Sequence, residues 1–258
     1  PEARAGELGV AAQQRLEIVK ALARDARLLI LDEPGAVLAP AEARELLGWL
    51  RRFVDGGATV VLITHKLRDA LAYADAVTVL RRGRTVGASG TAGIDEGWLL
   101  ARMLGAGAGT AASGAVASGA VAAGVIAPGP PPGQRMPPRP APVDGVSTPS
   151  GSFPRTAVAE AAGVAWTDPR GVTRLRDLTL TLHPGELVGV AGVEGSGQHE
   201  LLRLLAGRLR PTRGTLRLPP EVAFIPEDRH RDALLLDGSL VENLALRGAG
   251  ARRGRIAW

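Results

Sequence analysis

Three short runs in this chain are apolar without alternation: Leu28 to Leu31 in RLLILDEP, the body of ATVVLITH before His65, and Leu187 to Ala191 in LVGVAG. A strand with one wet face alternates polar and apolar residues, whereas a run like these must be covered on both faces, as in a parallel sheet between layers. Helical periodicity separates the runs. QQRLEIVKALARD places Leu16, Val19 and Ala23 on one face with Ile18 and Leu22 beside it, and Pro40 opens a second helix. That helix carries Leu46, Leu47, Leu50 and Phe53 and runs into the stop Gly56-Gly57, and KLRDALAYA continues as a third. AVTVLRRGRTVGAS reads as two strands around Gly83, and an alternating strand ends at Leu182 before a Pro184-Gly185 turn. The rhythm predicts an α/β fold with a mostly parallel sheet and a small antiparallel part.

The two apolar regions are separated by sequence that cannot form a core. ASGAVASGAVAAGVIAP, residues 112–128, is a low-complexity repeat poor in large side chains and too short to span a bilayer. Ten of the 19 prolines follow between Pro128 and Pro154. Residues 106–153 therefore read as a flexible linker between residues 1–105 and 154–258. As a coil it would span about 35–40 Å, enough for the two halves to dock as one permuted unit.

The charge excludes little. The net charge of +5 comes from 29 Arg and 2 Lys, scattered with no run longer than pairs such as Arg81-Arg82, which argues against a dedicated nucleic-acid surface. With no cysteine there is neither a disulfide framework nor a thiolate metal site. The chain begins at Pro1, and it reads as an internal piece of a longer one.

The chemistry concentrates in two places. GVEGSGQHE, residues 192–200, sets Gly192 and Gly197 on the two glycines of the phosphate-loop template G-x-x-x-x-G-K-[ST], with Gly195 and Ser196 between them. Gln198 stands at the lysine position and His199 at the hydroxyl position. Two glycines at a fixed spacing are weak evidence in a chain with 34, but a strand before the loop and a helix of Leu201, Leu202, Leu204 and Leu205 after it supply the required context. Such a loop attracts anions through backbone N–H groups without any lysine. A missing charge about 4 Å from phosphate forgoes roughly 4 kcal/mol before desolvation, part of which a glutamine amide would recover. Imidazole at the hydroxyl position is a poor partner for magnesium.

The second place is the carboxyl end of the first-half strands, where ligands of such sheets sit. An apolar run ending in Asp32-Glu33 can hold magnesium through the aspartate and activate water with the glutamate, while His65 ends the next strand. The plain alternative is a solvated strand end turning at Pro34, with His65 as an ordinary helix-capping residue.

The order of these parts resembles the nucleotide-binding cassettes of ATP-binding cassette (ABC) transporters. LGVAAQQR lies where their signature does, with 23 residues from Gly9 to Asp32, and His65 follows Glu33 by 32, at the place of their switch histidine. LILDEPGAVLAPAE, ITHKL and AFIPEDRHRDALLLDGSLVENLAL look like the tandem-cassette importers of simple sugars and nucleosides. In these, the second cassette commonly carries glutamine for lysine and PEDR near the Q-loop, here Pro226, Glu227, Asp228 and Arg229. The resemblance implies that residues 1–105 are the back of a first cassette, with signature Leu8, Gly9, Val10, Ala11, Ala12 and Gln13 and catalytic Glu33 and His65. Residues 154–258 would be the front of a second, and docked as one permuted cassette the halves would set Leu28 to Leu31 beside Leu187 to Val190, with Asp32 and His65 in the pocket of Gly195 to His199. It further implies ATP and Mg2+ as cofactors, Asp32 as the magnesium residue, and an adenine-stacking aromatic near Trp166, 26 residues before Gly192. An ordinary strand aromatic is the equal alternative there. Implied partners are permease transmembrane subunits and a substrate-binding protein, with no nucleic acid, and the cytoplasmic face of the membrane would be reached only through the permease. Gly9 through Ala12 depart from the LSGGQ signature, Ala39 replaces the D-loop aspartate, and His199 the usual serine. These losses imply an isolated chain with negligible turnover. They leave two other readings open: a cassette protein acting on nucleic acid or ribosomes, which would carry charged helical insertions, and a functionless relic.

Overall fold

The computed structural model describes residues 3–22, 26–105, 157–228 and 233–245. The linker at 106–153, Ala23 and Arg229 lie outside the described residues, as does the side chain of Leu22.

Strands from both ends of the chain share one sheet. In chain order the elements are α1 (Val10–Leu22), β1 (Leu28–Asp32), α2 (Pro40–Asp55), β2 (Thr59–Ile63), α3 (Leu67–Tyr73), β3 (Ala76–Arg81), β4 (Arg84–Gly90) and α4 (Glu96–Leu104). Then come β5 (Ala159–Thr167), β6 (Thr173–Leu182), β7 (Leu187–Gly192), α5 (Gln198–Leu205), β8 (Arg213–Arg217), β9 (Val222–Ile225) and a short α6 (Leu240–Ala245). The six-stranded sheet runs β4-β3-β7-β2-β1-β9, parallel throughout except for the β3–β4 hairpin, and a second, antiparallel sheet runs β6-β5-β8.

The unbroken apolar runs are explained by what covers each face. On one side Leu29, Leu31, Val60, Leu62 and Leu187 pack against Leu46, Leu47 and Leu50 of α2, Leu67 of α3 and Leu99 of α4. On the other, Leu28, Ile30, Val61, Ile63, Val188 and Val190 meet Leu201, Leu202 and Leu205 of α5 and the antiparallel sheet's Leu175, Leu178 and Leu182. Each large aliphatic side chain buried this way is worth about 1.5–3 kcal/mol, so neither sequence half can withdraw its strands cheaply.

The strand expected beside β1 is not β7. The two lie in the same sheet, but β2 is inserted between them, Leu28 facing Thr59 and Val60 facing Leu187. All five residues of β2 are buried, so its backbone groups need partners on both edges, and an interior place supplies them. Two helix faces also differ from their periodicity. Val19 is 48% exposed while Ala21 is buried, and Val54 rather than Phe53 is fully buried at the end of α2, Phe53 stacking on Trp49.

Candidate functional site

Parallel register brings the carboxyl ends of β1, β2 and β7 level, and the expected residues cluster there. β1 ends with Asp32 opposite Ile63, so Glu33 lies across from the segment that leads to His65. The Glu33 Oε1 accepts from the His65 backbone N–H at 2.8 Å, and its Oε2 lies 2.9 Å from His65 Nδ1. Glu33 holds a left-handed backbone, φ 46°, which costs a non-glycine residue about 1–2 kcal/mol. Its own N–H donates to the Ile63 carbonyl, so the strained residue is pinned at both backbone and side chain. Burial raises the Glu33 carboxyl above its ordinary range, with His65 pulling the other way, which suits a group that takes a proton.

The glycine loop follows β7 and wraps the start of α5. Gly195 and Gly197 have φ of 77° and 101°, conformations that a β-carbon penalises. A Cβ on Gly197 would also lie 2.7 Å from Leu175 Cδ2. The loop's outer part, Val193 to Gly195, is exposed, while Ser196, Gly197 and Gln198 are buried. The Gln198 amide turns inward, Nε2 donating to the Val193 carbonyl at 2.9 Å, and its Oε1 is buried without a hydrogen-bond partner. The glutamine therefore closes the loop on itself. Recovering part of the lysine's role would require it to leave Val193.

His199 crosses between the two sequence halves: its Nδ1 lies 3.0 Å from Asp32 Oδ2. The hydrogen bond to Asp32 raises the imidazole's pKa, with the nearby charges of Asp32, Glu227 and Glu200 acting in the same direction against partial burial. Asp32 is 5% exposed, and its Oδ1 has no partner. Glu227, exposed just after β9, brings a carboxylate oxygen to within 4.8 Å of the other two groups. Asp228 beside it is exposed as well. Asp32 and Glu227 supply hard oxygens, but an imidazole seated against the aspartate does not suit magnesium, which favours an all-oxygen octahedron.

Other expected residues stand elsewhere. Leu8 and Gly9 lead into α1, where Val10, Ala11, Ala12 and Gln13 form the first turn, and α1 packs against β9, three strands from β7. Gln13 is buried and donates to the carbonyls of Ala5 and Leu8, beside a small cluster of Ala5, Leu16 and Leu234. Trp166 is half-buried on β5 opposite Leu175, the residue under Gly197. That places it one strand away from the loop.

Two features escaped the sequence. Gly83, legible only as a turn, supports the phosphate loop: its N–H donates to Ser196 O at 2.9 Å and its carbonyl accepts from Arg176 N at 2.7 Å. The grouping of Glu227 with His199 and Asp32 was also hidden, because the three lie on separate stretches that meet only in the folded sheet. A histidine at a cation position was the one signal that pointed to it.

The fold is an α/β fold with a mostly parallel and a small antiparallel sheet, consistent with an ABC-type P-loop NTPase cassette. Residues 175–234, spanning the glycine loop, match the family model described as ABC transporter. The glucose import ATP-binding protein of Haloferax volcanii is 36% identical over 259 residues, covering 95% of this chain and 41% of that protein. The nucleoside import ATP-binding protein of Lactococcus lactis subsp. cremoris is 31% identical over 260 residues, covering 95% and 44%. A ribose import ATP-binding protein of Streptomyces coelicolor is 32% identical over 263 residues, covering 95% and 42%. The chain thus spans about two-fifths of the length of these curated relatives, each of which is named an import ATP-binding protein. Among the described residues no helix is long and apolar enough to cross a membrane.

Proposed function

We propose that this chain is the central part of a tandem-cassette ATPase that energises import of a nucleoside or simple sugar. Residues 1–105 carry the back of the first cassette and 154–258 the front of the second, and the ATPase works at the cytoplasmic face with permease subunits and a substrate-binding protein. The carrying observation is the meeting of the glycine loop with Asp32 and the Glu33–His65 pair at one end of a single parallel sheet. The relatives' names, covering sugars and nucleosides, support this solute class.

In this reading the backbone of Gly192 to Gln198 receives phosphate, Glu33 takes the proton of the attacking water, and His65 orients Glu33. Gln198 holds the loop shut through Val193 and supplies no charge toward the transition state. The chain alone binds nucleotide weakly and turns it over negligibly. Equilibrium titration with a fluorescent ATP analogue tests the first statement, with Gly197→Val as the variant that loses binding. Phosphate release compared with a Glu33→Gln control tests the second, and turnover above that control would overturn it.

A further inference from the structure

We infer that Asp32, His199 and Glu227 form a binding site for a borderline divalent transition ion of the zinc class, in place of magnesium. The inference deepens the nucleotide reading by naming the cation of the same pocket, and it rests on that reading only for where phosphate would lie. Three observations carry it. The donors are one imidazole nitrogen and two carboxylates on three separate stretches, all within 4.8 Å of one another. His199 Nδ1 and Asp32 Oδ2, 3.0 Å apart in a hydrogen bond, stand near the roughly 3.0–3.5 Å between ligands of one zinc ion, which would take the place of the shared proton. Glu227 is exposed just after the edge strand β9, its carboxylate oxygen within that same 4.8 Å of the other two donor atoms.

Independently of that geometry, Asp32 is an almost fully buried carboxylate whose Oδ1 has no hydrogen-bond partner. A buried carboxylate oxygen with nothing to accept from costs stability unless a cation or donor meets it. An ion held by the aspartate removes that cost.

The chemistry of the donors selects the ion. Imidazole binds zinc, cobalt and nickel readily, whereas magnesium keeps oxygen ligands and several of its waters. Three protein ligands leave a position open, which a water or a phosphate oxygen fills.

The test uses the whole chain without nucleotide. Zn2+ is titrated against a chromophoric chelator, and Co2+ is followed by its visible absorption, which reports an imidazole–carboxylate site directly. The expected result is one ion per chain, with Mg2+ failing to displace it at millimolar concentration. Loss of an outer-shell partner costs a metal site about 10–100-fold, so His199→Ala and His199→Ser, which remove a direct ligand, should weaken zinc by about 100-fold or more. Glu227→Gln should weaken it less, and His65→Ala should leave it intact. Both His199 and Glu227 are exposed enough for their variants to fold, and circular dichroism verifies this. Zinc binding that survives His199→Ala, follows His65 instead, or is matched by Mg2+ overturns the inference. Titration with the fluorescent ATP analogue in magnesium buffer separates the two readings. Zinc binding without nucleotide binding sinks the proposed function alone, and nucleotide binding without zinc binding sinks this inference alone.

Discussion

The carboxylate end of β1 and the glycine loop after β7 meet through the His199–Asp32 contact but differ in what they retain. At β1 stand the side chains to which the proposed function gives the chemistry, Asp32, Glu33 and His65, with Glu33 held by two contacts to His65. At the loop the side chains have changed, with glutamine and histidine where lysine and a hydroxyl are expected, yet the left-handed glycines and the turn onto α5 are intact. The difference shows that a phosphate loop is mainly a backbone object, kept in shape by sterics and neighbours, whereas acid–base chemistry resides in side-chain identity. In the proposed function, one region supplies the catalytic groups and the other the binding backbone.

The comparison breaks first at Glu33. In the complete importer, Glu33→Gln should lower ATP-driven uptake by about 10²–10⁴-fold, the usual contribution of a general base. Gln198→Ala should cost less, because its amide serves Val193 rather than a charge on the substrate. Equal losses in a radiolabelled-solute uptake assay would mean that the loop, too, acts through its side chain.

A second test asks whether the loop's backbone depends on the first half of the chain. A Cβ on Gly83 would lie 2.1 Å from the Arg174 carbonyl, and φ there is 77°. Gly83→Val should therefore destabilise the chain by about 3 kcal/mol or more in urea unfolding and remove nucleotide-analogue binding along with it. Retained binding in this variant would make the loop self-supporting.

The smallest effect is expected at a single seam contact. Thr59 Oγ1 donates to the His183 carbonyl at 2.8 Å, joining β2 to the turn before β7. Thr59→Val removes that donor and should cost about 1–2 kcal/mol, leaving the pocket's ligand affinities unchanged. A large drop in affinity would show that the seam tunes the site as well as holding it.

How much of this was legible depends on whether a feature is local. The runs at Leu28 to Leu31 and Leu187 to Ala191 named their own burial, because continuous apolar residues have no other use in a strand. Pro40 and Gly56 marked α2 to within a residue. Val19 was misplaced because a helix of thirteen residues has room for a second face, and which face meets the sheet depends on β9, not on period. The adjacency of β1 and β7 failed for a similar reason: apolar content marks a strand as interior without ordering it among the others.

By itself the sequence determined the layer class of this protein, the position of its glycine loop and the identities of Asp32, Glu33, His65, Gln198 and His199, since each follows from residue type and near spacing. The tertiary structure alone decided that β2 separates the two site strands, that Gly83 braces Ser196, that Gln198 turns inward, and that His199 and Glu227 close on Asp32. Apart from the Gln198 turn, which spans five residues, these rest on contacts between distant parts of the chain, and sequence spacing carries no information about which distant strand edges will share hydrogen bonds.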